Sequence, residues 1–187
     1  IEDIPIIQKN LITQANKMSK PVITATQMLV SMTDNIRPTR SEVTDVANAI
    51  LDGTDATMLS EETAIGKYPV EATKMMADIA VTTEKNYRNF DSRFSLCDDL
   101  HTSFRHEKPT VEDVISLHTL ESSQTFRAKY ILTPTETGNT SRRISRLKPF
   151  CWILAFTDKV EVARFLNFSY GVYPFLTPGI EFDWYQN

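Results

Sequence analysis

The hydroxyl-rich loop at residues 135–140 has the residue types best suited to binding an anion. It lies between a predicted strand and a predicted helix, where hydroxyls, backbone N–H groups beside a glycine and the positive end of a helix dipole can bind a phosphate. The lysine that follows the second glycine of a Walker loop is absent. An ordinary connection whose threonines cap the helix remains open as the alternative. The candidate phosphate-binding residues are Thr135, Thr137, Gly138, Asn139 and Thr140.

Polar side chains also follow two predicted strands in the first half of the chain. Thr26 follows the first strand, and Ser60, Glu61 and Glu62 follow the second. In parallel α/β layers, functional groups gather where the strands end. Thr26 and Ser60 could equally form turns by bonding to nearby backbone groups. The two glutamates could bind a cation or act as acid and base, but without a third ligand a solvated loop is the favoured interpretation.

The histidines and cysteines show no spacing typical of a metal or catalytic site. His101, His106 and His118 lack partners at metal-ligand or triad spacing, so we interpret them as surface or packing residues. Cys97 and Cys151 lie far apart and are predicted to be free thiols. The 20 Lys and Arg residues are dispersed in a chain of net charge −4, which argues against nucleic-acid binding. Without an apolar stretch of membrane-spanning length, a cytoplasmic protein is expected.

The first half of the chain is predicted to alternate helices with parallel strands. A strand at 22–25, a helix starting from a capping box at 39–42, a strand at 56–59 and a long helix opened by Pro69 follow one another. Connections this short favour parallel strands joined by right-handed crossovers. Before them, a helix over residues 7–20 is predicted to bury a face made of Ile7, Leu11, Ala15 and Met18.

A second α/β unit is predicted after a charged and aromatic stretch. We place the domain boundary near residue 90, which gives domains at 1–90 and 91–187. The predicted elements of the second domain are a helix at 111–126, a strand at 130–133, a short helix after Gly138, a strand at 152–156, a helix capped by Asp158 and a strand at 172–176.

Four long motifs in the first half resemble consecutive signatures of pyruvate kinase. They are KPVITATQML at 20–29, RPTRSE at 37–42, DVANAILDG at 45–53 and MLSEETAIGKYP at 58–69. GVYP at 171–174 and the loop at 135–140 resemble landmarks of the C-terminal domain of that family. The resemblance implies an α/β fold: a segment of a TIM (β/α)8 barrel, comprising its last two β/α repeats, followed by an incomplete C-terminal regulatory and oligomerisation domain.

The resemblance also implies an activity. Pyruvate kinases transfer the phosphoryl group of phosphoenolpyruvate to ADP, using Mg²⁺ and usually K⁺, and protonate the enolate to give pyruvate. Thr26 matches a threonine that contacts the substrate, and Ser60 matches a serine thought to join the proton relay. Arg37 and Arg40 match positions at a subunit interface beside the active site of a tetramer.

Most of the catalytic groups of the family would lie before Ile1. These are the phosphate-binding arginine, the transition-state lysine, the metal-binding acids, the potassium ligands and the lid domain. The chain alone is therefore expected to bind neither metal and to be inactive. The loop at 135–140 resembles the effector loop that holds a sugar phosphate in regulated members, so a non-catalytic sugar-phosphate-binding and subunit-contact module is the alternative function.

Overall fold

The computed structural model of the chain describes residues 2–25, 27–86, 97–98, 100–102 and 109–178. The chain divides into two compact units. The first consists of Ile1–Asn16 with Val22–Arg93, and the second of Lys17–Pro21 with Phe94–Asn187. The short segment Lys17–Pro21 therefore packs with residues that follow it by about a hundred positions, which local sequence patterns do not indicate.

The first unit alternates helices with two short parallel strands. Strand β1 pairs with β2 in parallel, with Ile23 opposite Ala56, as the short connections predict. A 3₁₀ helix at Val30–Thr33 and the four-residue helix α3 were not predicted. The elements are α1 (Ile4–Lys17), β1 (Ile23–Thr24), α2 (Arg40–Leu51), β2 (Ala56–Thr57), α3 (Glu61–Ala64) and α4 (Pro69–Asn86).

Helix α2 begins and ends as its sequence predicts. The Thr39 hydroxyl accepts the Glu42 backbone N–H and the Glu42 carboxylate accepts the Thr39 N–H, which completes the predicted capping box. The helix ends before Gly53, whose φ of 94° lies in the left-handed region that favours glycine. Helices α2 and α4 then enclose a core made of Met28, Leu29, Met32, Val46, Ala49, Ile50, Ala72, Met76 and Ile79.

The predicted buried face of helix α1 is wrong. Ile7, Leu11 and Met18 are 52%, 63% and 67% exposed, whereas Ile12 and Asn16 are buried. The buried face is rotated from the predicted one by roughly a third of a turn, at 100° per residue. A polar contact favours this orientation, because the Asn16 amide donates a 3.0 Å hydrogen bond to the Gly53 carbonyl. Hydrophobic spacing alone carries no information about that bond.

The second unit is built on a three-stranded parallel sheet in the order β3-β4-β5. Tyr130 lies opposite Trp152, and Ile153 lies opposite Val172. One face of the sheet packs against helices in a core made of Ile131, Ile144, Ile153, Ala155, Leu166 and Val172. The elements are α5 (Val111–Thr125), β3 (Tyr130–Pro134), α6 (Asn139–Ser145), β4 (Trp152–Thr157), α7 (Val160–Leu166) and β5 (Val172–Leu176).

The predicted cap of helix α7 is also wrong. Lys159, rather than Asp158, occupies the N-cap position, and its side chain makes no capping bond. The Lys159 backbone N–H instead donates to the Thr157 hydroxyl at 3.2 Å. The turn into α7 therefore uses the Thr157 hydroxyl to bind a loop N–H, and the helix begins one residue later than an Asp158 cap would place it.

Buried arginines of the second unit hold the segment Lys17–Pro21. Arg142 is 2% exposed and donates to the carbonyls of Ser19 and Lys20, at 3.2 and 2.5 Å. Arg146 donates to the Lys17 carbonyl at 2.9 Å. Guanidinium groups have five donors in a fixed plane, which suits them to several carbonyls at once.

Candidate functional site

Ser60 lies at the carboxyl end of strand β2, where the sequence predicts a functional residue. It is half-buried and precedes helix α3. Its carbonyl accepts the backbone N–H of Ala64 at 3.0 Å, which fixes the backbone of the turn. The Ser60 N–H donates to the Glu62 carboxylate at 2.8 Å. The serine backbone is therefore held by its own turn.

Glu62 is buried, so the interpretation of a solvated loop is wrong for this residue. It is 1% exposed, whereas Glu61 beside it is exposed. Its Oε1 accepts the Leu29 N–H at 3.0 Å, and its Oε2 accepts the Ser60 N–H. A carboxylate taken out of water must be hydrogen-bonded. One side chain thus joins the loop after β1 to the turn after β2.

Thr26 lies outside the described residues, and Gln27, Met28 and Leu29 follow it directly. Gln27 has a φ of 51°, in the left-handed region that costs a residue with a side chain about 1–2 kcal/mol. Such a conformation persists where the surrounding structure enforces it. Met28 and Leu29 are buried in the core directly after it. Residues 27–29, which follow the candidate substrate residue, are therefore constrained by packing.

A second buried carboxylate holds the same segment two residues further along, at Ser31. Glu42 accepts the Ser31 backbone N–H at 2.7 Å and the Ser31 hydroxyl at 2.5 Å, besides closing the capping box with Thr39. Burial alone would raise the pKa of Glu42, but the hydrogen bonds from Ser31 and Thr39 outweigh it, so the pKa lies below its usual value. Glu42 therefore stays ionised as an acceptor.

Arg37 and Arg40 are both exposed on the first unit. Arg37 precedes the cap of helix α2, and Arg40 is the first residue of that helix. Long cationic side chains at an exposed helix start are available for anions or for a neighbouring subunit. Their predicted place at a subunit interface stays a prediction.

The loop at 135–140 connects strand β3 to helix α6 through a left-handed glycine. Gly138 has a φ of 82° and precedes the helix, and an added Cβ would lie 3.2 Å from the Leu166 side chain. The Gly138 N–H donates to the Thr135 hydroxyl at 2.8 Å. Gly138 is the N-cap and has no side chain to cap α6, but the Asn139 N–H at the first position of the helix donates to the Thr137 hydroxyl at 3.4 Å, so the alternative of an ordinary connection with threonines at the helix start stays open. Thr137, Asn139 and Thr140 are exposed.

Cations of helix α6 point away from this loop, and a cation from another element lies beside it. Arg142 binds carbonyls of the segment Lys17–Pro21, and Arg143 pairs with Asp113. Lys159, at the start of α7, has its ammonium 3.4 Å from the Glu136 carboxylate. Sequence reasoning missed Lys159, since only the pairing of β3 with β4 brings the two loops together.

The remaining titratable side chains in the described part of the chain form no cluster that could hold a metal ion. His101 and His118 both approach the Glu121 carboxylate, at 3.1 and 3.0 Å. Cys97 and Cys151 are not in a disulfide, as predicted. Within the described ranges, no group of three or more His, Cys, Asp or Glu residues could hold a metal ion.

No helix of the described ranges is long and apolar enough to cross a membrane. Both units are parallel α/β structures whose polar loops follow the ends of strands. The first has a pair of loops joined through a buried carboxylate, and the second has an exposed hydroxyl-rich loop beside a lysine. This is the architecture of enzymes and ligand-binding domains of the α/β class.

Comparison with known proteins assigns both units to one family. The model for the pyruvate kinase barrel domain matches residues 1–73, and that for the pyruvate kinase alpha/beta domain matches residues 113–184. The chain therefore belongs to the pyruvate kinase family. It is 56% identical to a pyruvate kinase of Thermococcus litoralis over 94% of this chain and 36% of the relative. A second relative, pyruvate kinase 2 of Synechocystis sp., is 49% identical over 94% of this chain and 28% of its own length.

Solved structures give the same result. A crystal structure of a pyruvate kinase from Cryptosporidium parvum superposes with a TM-score of 0.84 at 44% identity, covering 94% of this chain and 34% of that one. A Cryptosporidium parvum pyruvate kinase in complex with ADP superposes with a TM-score of 0.82. The chain spans about a third of the length of the relatives it matches. The predicted fold, a partial segment of the pyruvate kinase fold, is confirmed.

Proposed function

We propose that this chain is a segment of a pyruvate kinase that transfers the phosphoryl group of phosphoenolpyruvate to ADP in glycolysis. The observation that carries the proposal is the match to two pyruvate kinase domains in succession, a barrel domain and then an alpha/beta domain. A related enzyme has been solved with ADP, which supports ADP as the acceptor. The bond from phosphorus to the enol oxygen breaks, a bond to an oxygen of the ADP β-phosphate forms, and the enolate carbon then takes a proton.

In this proposal the two loops after β1 and β2 contribute to the reaction. Thr26 contacts the substrate, and Ser60 assists the proton relay to the enolate carbon. The half-buried position of Ser60 at the end of β2 supports its role, because a group there is shielded from bulk water and its backbone is fixed. Transfer of this kind depends on positioning and on neutralising charge.

The wider features of the enzyme are proposals of the same kind. Mg²⁺ and K⁺ act in the complete enzyme, which is cytoplasmic and tetrameric, and Arg37 and Arg40 lie near a subunit interface beside its active site. Residues 1–90 form the end of the barrel and residues 91–187 form the beginning of the regulatory domain. Both arginines are exposed on the first unit, which supports their availability for a partner.

The chain alone is proposed to be inactive, because it spans only about a third of the length of its relatives. The test compares purified chain with the complete polypeptide that contains it, using phosphoenolpyruvate, ADP, Mg²⁺ and K⁺. We expect pyruvate only from the complete polypeptide, and a slower rate in its Ser60→Ala variant than in Thr63→Ala, at an exposed position of the same turn. Pyruvate from the chain alone, above a heat-inactivated control, would contradict the proposed inactivity.

A second candidate function is a sugar-phosphate-binding and subunit-contact module. Its support is the loop at 135–140, where exposed Thr137, Asn139 and Thr140 lie at the start of helix α6 and Lys159 supplies a positive charge nearby. The first turn of a helix also leaves backbone N–H groups without intrahelical partners. These donors suit a phosphate of a sugar phosphate such as fructose bisphosphate or ribose phosphate.

Titration of ¹⁵N-labelled chain with phosphate and with fructose bisphosphate tests the module. We expect the amide signals of Gly138 and Thr140 to move, with a weaker response in Lys159→Gln. Lys129→Gln, which removes an exposed lysine just before β3, is the matched control. Signals that stay in place at millimolar sugar phosphate would refute the effector site, while the kinase assay above would be unaffected.

A further inference from the structure

We propose that Glu62 is a positioning residue of the reaction, which fixes the loop after β1 relative to the turn after β2. The inference rests on the proposed function, because its consequence is catalytic. Glu62 itself contacts no reacting group in this proposal. It acts through Leu29, three residues after Thr26, and through Ser60.

The Glu62 carboxylate bridges the loop after β1 and the turn after β2. Each oxygen of Glu62 accepts one backbone N–H, from Leu29 at 3.0 Å and from Ser60 at 2.8 Å. At 1% exposure, Glu62 is removed from bulk solvent, and a charged acceptor makes these bonds stronger than bonds between neutral groups. A change in the separation of the two loops would lengthen at least one of the bonds.

Two carboxylates from different elements bind neighbouring positions of the segment after β1. Glu42 of helix α2 holds Ser31 through its N–H and its hydroxyl. Glu62 holds Leu29, nearer to Thr26. Gln27, with its left-handed backbone, lies between Thr26 and this anchor. Of the two carboxylates, Glu62 thus binds the residue that is nearer in sequence to the candidate substrate residue.

The backbone that carries Glu62 is itself fixed. The Gly66 N–H donates to the Glu61 carbonyl at 2.9 Å, and a Cβ at Gly66 would lie 2.4 Å from the Glu62 carbonyl oxygen. Only glycine permits this approach. The turn therefore cannot rotate freely, and the Glu62 side chain keeps the direction that its two bonds require.

Glu62→Gln tests the two hydrogen bonds of the Glu62 carboxylate separately from its contribution to the fold. The variant keeps the size and shape of the side chain, but one acceptor oxygen becomes an NH₂ group that faces an N–H donor. One of the two bonds is lost. Glu61→Gln is the matched control, because Glu61 is the neighbouring residue in the same turn and is exposed.

The experiment measures both kinetics and amide exchange. In the complete polypeptide, we expect Glu62→Gln to lower kcat and kcat/KM together by about 10- to 100-fold, with KM for phosphoenolpyruvate unchanged. In the chain itself, amide exchange should accelerate at Leu29 and Ser60 but not at Val46 and Ile50 of the α2 core. Glu61→Gln should match the unsubstituted protein in both measurements.

Three results would count against the inference. Equal kinetics for the two variants in an active enzyme would overturn the positioning role. Faster exchange throughout α2 would show that Glu62 only supports folding, which also overturns it. A complete, unsubstituted polypeptide that forms no pyruvate would overturn the proposed function and with it the inference, even if Glu62→Gln loosened both amides. The activity of the unsubstituted polypeptide thus distinguishes a failure of the proposed function from a failure of the positioning role.

Discussion

Replacing Asp113 by Asn should destabilise the second unit by leaving a buried arginine without its counter-charge. Asp113 accepts hydrogen bonds from Arg146 at 2.5 Å, from Arg143, and from the Thr110 hydroxyl at 2.7 Å. The Arg146 side chain is 2% exposed, whereas that of Arg143 is 29% exposed. The substitution preserves the size of the side chain and removes only its charge.

The magnitude follows from the burial of Arg146. Removing one partner of a buried ion pair costs about 3–5 kcal/mol, and because Asp113 is 19% exposed we expect the lower end, about 3 kcal/mol. For a unit of roughly 100 residues this lowers Tm by roughly 15 °C. Arg143→Gln is the control and should cost about 1 kcal/mol or less, since solvent screens a partly exposed pair.

The same contacts predict that the stability of the second unit depends on pH. Burial alone would raise the pKa of Asp113, but the Thr110 hydrogen bond and the charges of Arg146 and Arg143 hold it below its usual value. The stabilisation is therefore complete above the unfolded pKa of about 3.9 and is lost as the pH falls through the lower folded pKa. The Asn variant should lack this loss below about pH 4.

Urea unfolding followed by tryptophan fluorescence measures the effect. The signal reports on the second unit, because both tryptophans, Trp152 and Trp184, belong to it. The unfolding free energy at pH 7 gives the cost of the substitution, and its change between pH 7 and pH 3 gives the acid-dependent loss of stability. Two results together would refute the reasoning. Asp113→Asn and Arg143→Gln would lower the unfolding free energy by the same small amount, and the unfolding free energies of Asp113→Asn and of the unsubstituted chain would fall in parallel below pH 4. The buried pair would then contribute nothing.

Two further predictions concern the loops. Gly138→Ala should cost more unfolding free energy than Gly171→Ala in the same urea assay: both have positive φ, which costs about 1–2 kcal/mol, but only at Gly138 would the new Cβ also crowd Leu166 at 3.2 Å. Equal costs would show that crowding contributes nothing. The depressed pKa of Glu42, held by Ser31 despite burial, should stabilise the first unit above about pH 4.3 and lose this effect at lower pH. Circular dichroism melts of Glu42→Gln, which should lack the acid-dependent part, test this.

The candidate site was predicted from the sequence only in part. Ser60 lies at the end of β2, and Gly138 starts helix α6, as local patterns indicate. Glu62 was misinterpreted as solvated, because nothing in the neighbourhood of a glutamate shows that a backbone N–H 33 positions earlier will reach it. Lys159 was missed for the same reason, since its partner Glu136 is 23 positions away.

The sequence by itself determined the type and order of the main elements. Capping residues, hydrophobic spacing and left-handed glycines act over about four residues, and they set the bounds of α2 and the parallel α/β plan. The tertiary structure alone decided which side chains became buried and paired. The orientation of α1 through Asn16, the bridge through Glu62 and the Asp113–Arg146 pair all join residues more than 30 positions apart. Such contacts depend on how the elements pack, because a buried polar group is stable only where its partner is brought to it.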